Sequence, residues 1–180
     1  SILEGIDVPG DRESASDMHV TIVHLGKDVP VVQLAKAMVV AHECARATPP
    51  MSFTITRVSS FPGGDDGVPI ICPIESPELQ ALNAMLKQRL RDLGIPFSDK
   101  WPDFKPHLTL GYFVDAPEGF ALDVELPVPV PFSVSELCLW GGNAGGPEVL
   151  RVSIPFALSP VQRMAVTVAR RRVRSSSKRG

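Results

Sequence analysis

Two stretches of this chain, His19-Val-Thr-Ile and His107-Leu-Thr-Leu, repeat one alternating pattern 88 positions apart. Side chains alternate across a strand, so His19 and Thr21 share one face of the first stretch, and His107 and Thr109 share one face of the second. The opposite faces are apolar, with Val20 and Ile22 on one strand and Leu108 and Leu110 on the other. Each strand thus offers an imidazole and a hydroxyl on one side and core on the other. That pairing limits what the chain can build, because both strands must be covered on one face and left accessible on the other.

The rest of the chain supplies the cover. Residues 18–25 are β-branched, alternate and stop at Gly26, which predicts a strand. Residues 30–47 carry Val32, Leu34, Ala35, Met38, Val39 and His42 at helical spacing and end before Pro49-Pro50, which predicts a helix. Residues 51–61 alternate through Phe53, Ile55 and Arg57. Pro62 to Gly67 reads as a hairpin turn, and 68–74 as a short apolar strand. A second helix opens with Ser76 as cap and Pro77 at the first helical position. It runs through Leu79, Leu82, Met85, Leu86 and Leu90 to a stop at Gly94. Residues 95–106 hold three prolines and read as a loop. Strands follow over 107–114, parts of 121–130 and 131–140, and 149–158, the last after a glycine-rich hairpin loop at 141–146. Residues 2–8 can add a strand at the start. Two helices and about seven strands in this order indicate an α+β protein, without alternating βαβ units.

Two strands bearing a histidine and a threonine each, set side by side, make a pocket suited to phosphodiester chemistry. An imidazole titrates near ~6.5, so one ring can accept a proton while the other donates one. Two threonine hydroxyls, with backbone N–H groups, can hold the non-bridging oxygens. Such a reaction needs no cofactor and no metal. Neither His-x-x-x-His on a helix nor paired Cys-x-x-Cys occurs, so no metal site is expected.

The two segments His19-Val-Thr-Ile-Val-His-Leu-Gly26 and Lys105-Pro-His-Leu-Thr-Leu-Gly-Tyr112 resemble the paired His-x-Thr motifs of the 2H phosphoesterase superfamily. That superfamily includes 2′-5′ RNA ligase-like proteins and 2′,3′-cyclic phosphodiesterases. The resemblance covers roughly residues 1–158. It implies a bilobal, pseudo-two-fold fold with antiparallel sheets around a central cleft and two main helices outside. It implies His19 and His107 as the acid–base pair, with Thr21 and Thr109 binding phosphate. The activity implied is metal-independent cleavage of 2′,3′-cyclic or 2′-5′-type bonds in RNA ends or small nucleotides. Two alternatives stay open: a phage- or virus-type enzyme that degrades cyclic or oligonucleotide immune messengers, and a nucleotide-binding module without turnover.

Other residues admit two readings each. Trp101 and Phe104 precede the second motif, where their rings can stack on a nucleobase or pin the loop to the core. Lys105 can offset phosphate charge or serve as an ordinary surface lysine. Tyr112 falls on the core face by strict alternation, which favours packing over base stacking. His24, opposite His19, and His42, on a helix, read as structural.

Composition narrows the partners. No stretch approaches the ~18 uninterrupted apolar residues of a spanning helix, so no membrane partner is expected. Cys44, Cys72 and Cys138, an odd number, read as buried thiols in a reducing compartment, hence a cytoplasmic protein, or the host cytoplasm if phage-encoded. From Arg163 onward there are seven basic residues and no acidic ones, whereas the preceding part carries a net charge of −9. So acidic a body is a poor grip for long RNA, which favours a small nucleotide or an RNA end. Residues 159–180 are therefore expected to form a basic, flexible tail beyond the 1–158 domain, able to make a weak nucleic-acid contact. With no initiator Met, the chain reads as processed or as a domain of a larger protein.

Overall fold

A computed structural model describes residues 10–13, 18–26, 29–100, 102–141 and 149–157. Among them are two helices and seven strands: β1 (Asp11–Arg12), α1 (Val31–Ala47), β2 (Met51–Ser60), β3 (Val68–Pro73), α2 (Pro77–Asp92), β4 (His107–Phe113), β5 (Asp123–Val134), β6 (Glu136–Gly141) and β7 (Val149–Pro155). The architecture is α+β with antiparallel sheets, as the element order predicts. The chain forms two compact units. Of the described residues, one unit takes those before Pro30 together with Ser52–Ser133, and the other takes Pro30–Met51 and those from Val134 onward.

The first unit holds a five-stranded sheet in the order β1-β4-β3-β2-β5. The expected hairpin joins β2 to β3, closed by a bridge between Gly64 and Gly67. Gly67 has to be glycine: its φ is +98°, and a Cβ there would lie 2.8 Å from the Phe113 carbonyl oxygen. In β2 the inward positions are Met51, Phe53, Ile55 and Val58, so the phase slips by one residue after Ile55 and Arg57 faces out. Helix α2 buries Leu79, Leu82, Leu86 and Leu90 at spacings of three and four, each worth about 1.5–3 kcal/mol of burial. Ser76 caps it as expected, its hydroxyl accepting the Leu79 N–H at 3.1 Å. Gly94 ends it at φ +64°.

In the second unit α1 packs on the β6–β7 hairpin. The helix lies where the sequence places it, but it buries a different face. Ala37, Val40, Cys44 and Ala45 are enclosed, while Val32 and Val39 are 67% and 56% exposed, and Ala35 and His42 are also exposed. The helix is apolar around most of its circumference, so periodicity alone selects no unique face. Thr48 closes it, donating its hydroxyl to the Cys44 carbonyl at 2.8 Å.

Three further expectations need correction. Residues 18–26 belong to no strand among the described residues. Their alternation survives as exposure, His19 and Thr21 being more open than Val20 and Ile22. A strand assignment requires paired neighbours, which a local pattern cannot supply. Next, β5 runs without a break through Pro127, Pro129 and Pro131, where the sequence pattern predicts two separate strands. Prolines at alternate positions leave their missing N–H groups along one side, and the sheet order ends on β5. Finally, Cys44 and Cys72 are buried, but Cys138 is only half-buried. The strand expected at 2–8 and the tail expected at 159–180 lie outside the described residues, as does the loop expected at 141–146 apart from Gly141, which ends β6.

Candidate active site

The second motif opens β4. His107 sits opposite Pro73 and Thr109 opposite Ile71, with Leu108 paired to the buried Cys72 between them. Leu108 and Leu110 are enclosed, so His107 and Thr109, both half-buried, share the more open face. A register shift between Ile70 and Ile71 puts an extra residue into β4 at Leu110. Strict alternation therefore does not carry to Tyr112, which is half-buried and not enclosed in the core.

Two contacts set the His107 ring. Its Nδ1 lies 2.7 Å from the Lys105 carbonyl oxygen, which can only accept, so Nδ1 carries the hydrogen. That leaves Nε2 as the nitrogen available for proton exchange: an acceptor when the ring is neutral, a donor when it is charged. The Phe61 ring meets the imidazole edge-to-face, with centroids 4.8 Å apart and planes at 85°. Phe61 is itself tied down at the end of the hairpin, its N–H donating to the Pro69 carbonyl at 3.2 Å.

The first motif lies in the same compact unit. His19 and Thr21 are both exposed. The segment is held through its carbonyls: Asn83 of α2 donates its side-chain amide to Ile22 at 2.5 Å, and the Ser98 N–H donates to His24 at 2.7 Å. The loop carrying Ser98 is in turn fastened to α2. Lys87 and Arg91 both pair with Asp99, at 3.4 and 3.8 Å, and both lie over the Phe97 ring. Helix α2 reaches the second motif too, through Gln80, whose amide donates to the Phe104 carbonyl at 2.9 Å.

The remaining sequence candidates divide. Phe104 is half-buried and its carbonyl accepts that bond, while Lys105 is exposed and contributes its carbonyl to His107. Trp101 lies outside the described residues. Burial pushes the Cys72 thiol up to about 11, which makes it a packing group and a poor nucleophile. Among the described residues no three His, Cys, Asp or Glu side chains converge as metal ligands.

Sequence reasoning missed Phe61, Gln80 and Asn83. Only Asn83 left a trace: it is an amide inside the leucine stripe of α2, 7% exposed, where a buried polar group has to find a partner. Phe61 carries no comparable local signal, since its ring contact comes from strand pairing.

Comparison with known proteins places these features in a family. A family model described as the 2′-5′ RNA ligase superfamily matches residues 10–146. No match was found among curated proteins. Among solved structures, TT0787 of Thermus thermophilus is similar at 21% identity and a TM-score of 0.60, over 81% of each chain. E. coli LigT complexed with 3′-AMP is similar at 19% identity and a TM-score of 0.58, over 82% of this chain and 81% of that one. A structure described only as a phosphoesterase is similar at 18% identity and a TM-score of 0.59, over 82% of both chains. At these identities the likeness is one of fold.

Proposed function

Because the chain belongs to the 2′-5′ RNA ligase superfamily, we propose that it is a phosphodiesterase cleaving 2′,3′-cyclic or 2′-5′-type bonds in RNA ends or small nucleotides. The observation that carries this reading is the way His107 is held. The Lys105 carbonyl takes the Nδ1 hydrogen and leaves Nε2 for chemistry, on the face that also bears Thr109. His19 and Thr21 repeat the same pair of groups in the other motif. The nucleotide part of the reading is supported by E. coli LigT, whose structures are complexed with 3′-AMP, ATP, NADP+ and phosphate.

In ring opening of a 2′,3′-cyclic phosphate, one imidazole accepts a proton from water as the water oxygen attacks phosphorus. The bond from phosphorus to one ribose oxygen breaks, and the other imidazole gives that oxygen its proton. The two rings end with their protonation states exchanged. The reverse direction exchanges their roles, so which histidine serves as base follows from the substrate. Thr21 and Thr109 donate hydroxyls to the non-bridging oxygens, where charge accumulates.

The test is a panel of 2′,3′-cyclic nucleotides, 2′-5′ oligoadenylate and cyclic dinucleotides, incubated with the protein in EDTA and read by mass spectrometry. The expected result is hydrolysis of at least one member. His19→Ala and His107→Ala should each slow it by about 10²–10⁴-fold, the usual worth of a general acid or base. Binding without any product would favour the non-catalytic module, and wild-type turnover by both variants would remove the acid–base assignment.

A further inference from the structure

Helix α2 touches the approach to each motif, and one of its contacts is unusual in kind. Residues 18–26 have no strand neighbours among the described residues, and no sheet ladder among those residues runs through His19 and Thr21. The backbone there is instead held by the Asn83 amide on the Ile22 carbonyl and by the Ser98 N–H on the His24 carbonyl. Asparagine is a poor choice for the buried face of a helix on two grounds. It has low helix propensity, and it brings a polar group among Leu79, Leu82 and Leu86. The bond to Ile22 accounts for it. That carbonyl lies three residues after His19, and the Phe104 carbonyl held by Gln80 lies three residues before His107. Gln80 and Asn83 are neighbours one helical turn apart. A single rigid element therefore holds both approaches.

We propose that Asn83 is a positioning residue, setting the His19–Thr21 segment against the helix whose Gln80 holds the approach to His107. The proposal rests on the two-histidine reading above and adds to it a means by which the first motif keeps its place. Its effect runs through geometry: a displacement of the order of 1 Å at a reacting group can cost about 100-fold in rate.

The experiment compares wild type, Asn83→Leu, Gln80→Leu and His19→Ala on the hydrolysed member of the panel, with histidine ring resonances followed by NMR. Asn83→Leu keeps the approximate size of the side chain and removes the donor. It should fold, lose about 10- to 100-fold in kcat with KM within a few-fold of wild type, and shift the His19 ring resonances while leaving those of His42 in place. Gln80→Leu should move the His107 resonances instead. Should Asn83→Leu fail to fold, Asn83→Ser is the milder replacement, with the same changes expected. Wild-type kcat and unmoved His19 resonances in a folded variant would overturn the positioning role, provided His19→Ala is inactive. If His19→Ala is itself fully active, the two-histidine reading fails along with it.

Discussion

His107 is held from two directions, and the two holds do different things. The Lys105 carbonyl chooses the tautomer, while the Phe61 ring fixes the plane. An edge-to-face pair is worth about 0.5–1.5 kcal/mol beyond its burial. Removing it with Phe61→Ala should therefore slow turnover by roughly 3- to 10-fold, and Phe61→Tyr should retain most of the rate, as steady-state kinetics will show. Thiol chemistry offers a second check at this scale. Cys72 has a pKa raised to about 11, and Cys138 is also raised, by burial first and then by the charge of Glu136. A maleimide at neutral pH should label the half-buried Cys138 first and leave Cys72 unreacted until the protein unfolds. The site was partly legible at this scale. The histidine and threonine pairs announce themselves because one pattern occurs twice in the sequence. Phe61 and Gln80 act through tertiary contacts, which leave no repeat and no period to find.

Helix α2 was the most legible element and is the one on which most of the site's support rests. Its start is written in Ser76-Pro77, and the structure realises both signals. The Ser76 hydroxyl accepts from Leu79 and donates to Glu78 at 2.9 Å. Ser76→Ala should cost about 1 kcal/mol, measured as a lowered urea midpoint. The Glu78 pKa is lowered from its ordinary value, first by a hydrogen bond from its own backbone and then by Ser76. A lowered folded pKa means that its contribution is present above the unfolded value, near ~4.3, and disappears as pH falls through the folded one. Glu78→Gln should accordingly lower stability at pH 7 and converge on wild type in strong acid. Other elements were legible in extent but not in detail. The length of α1 follows from its prolines and its helical spacing, whereas its buried face depends on which side meets β6 and β7. The stretch 18–25 has strand composition, yet paired neighbours make a strand; among the described residues it has none, and Asn83 and Ser98 bond to its Ile22 and His24 carbonyls.

At the scale of the whole molecule, charge separates the body from its end. The seven basic residues from Arg163 onward offset most of the −9 carried before them, and a nucleic-acid contact made through them would weaken with salt. Deleting residues 160–180 should abolish retention on an RNA column at low salt while leaving hydrolysis of a mononucleotide unchanged. The family and the α+β class could be read from the chain because they depend on the order of elements and on one doubled motif. What a linear reading lacks is the way two distant segments meet one helix, through Gln80 and Asn83, within a single compact unit. The central claim is that His19 and His107 act together on one phosphodiester, and a double-mutant cycle tests it most directly. Groups that act as a unit are strongly non-additive, so the His19→Ala, His107→Ala double variant should be about as slow as the slower single variant. Losses that multiply, or a double variant that retains wild-type turnover, would contradict it.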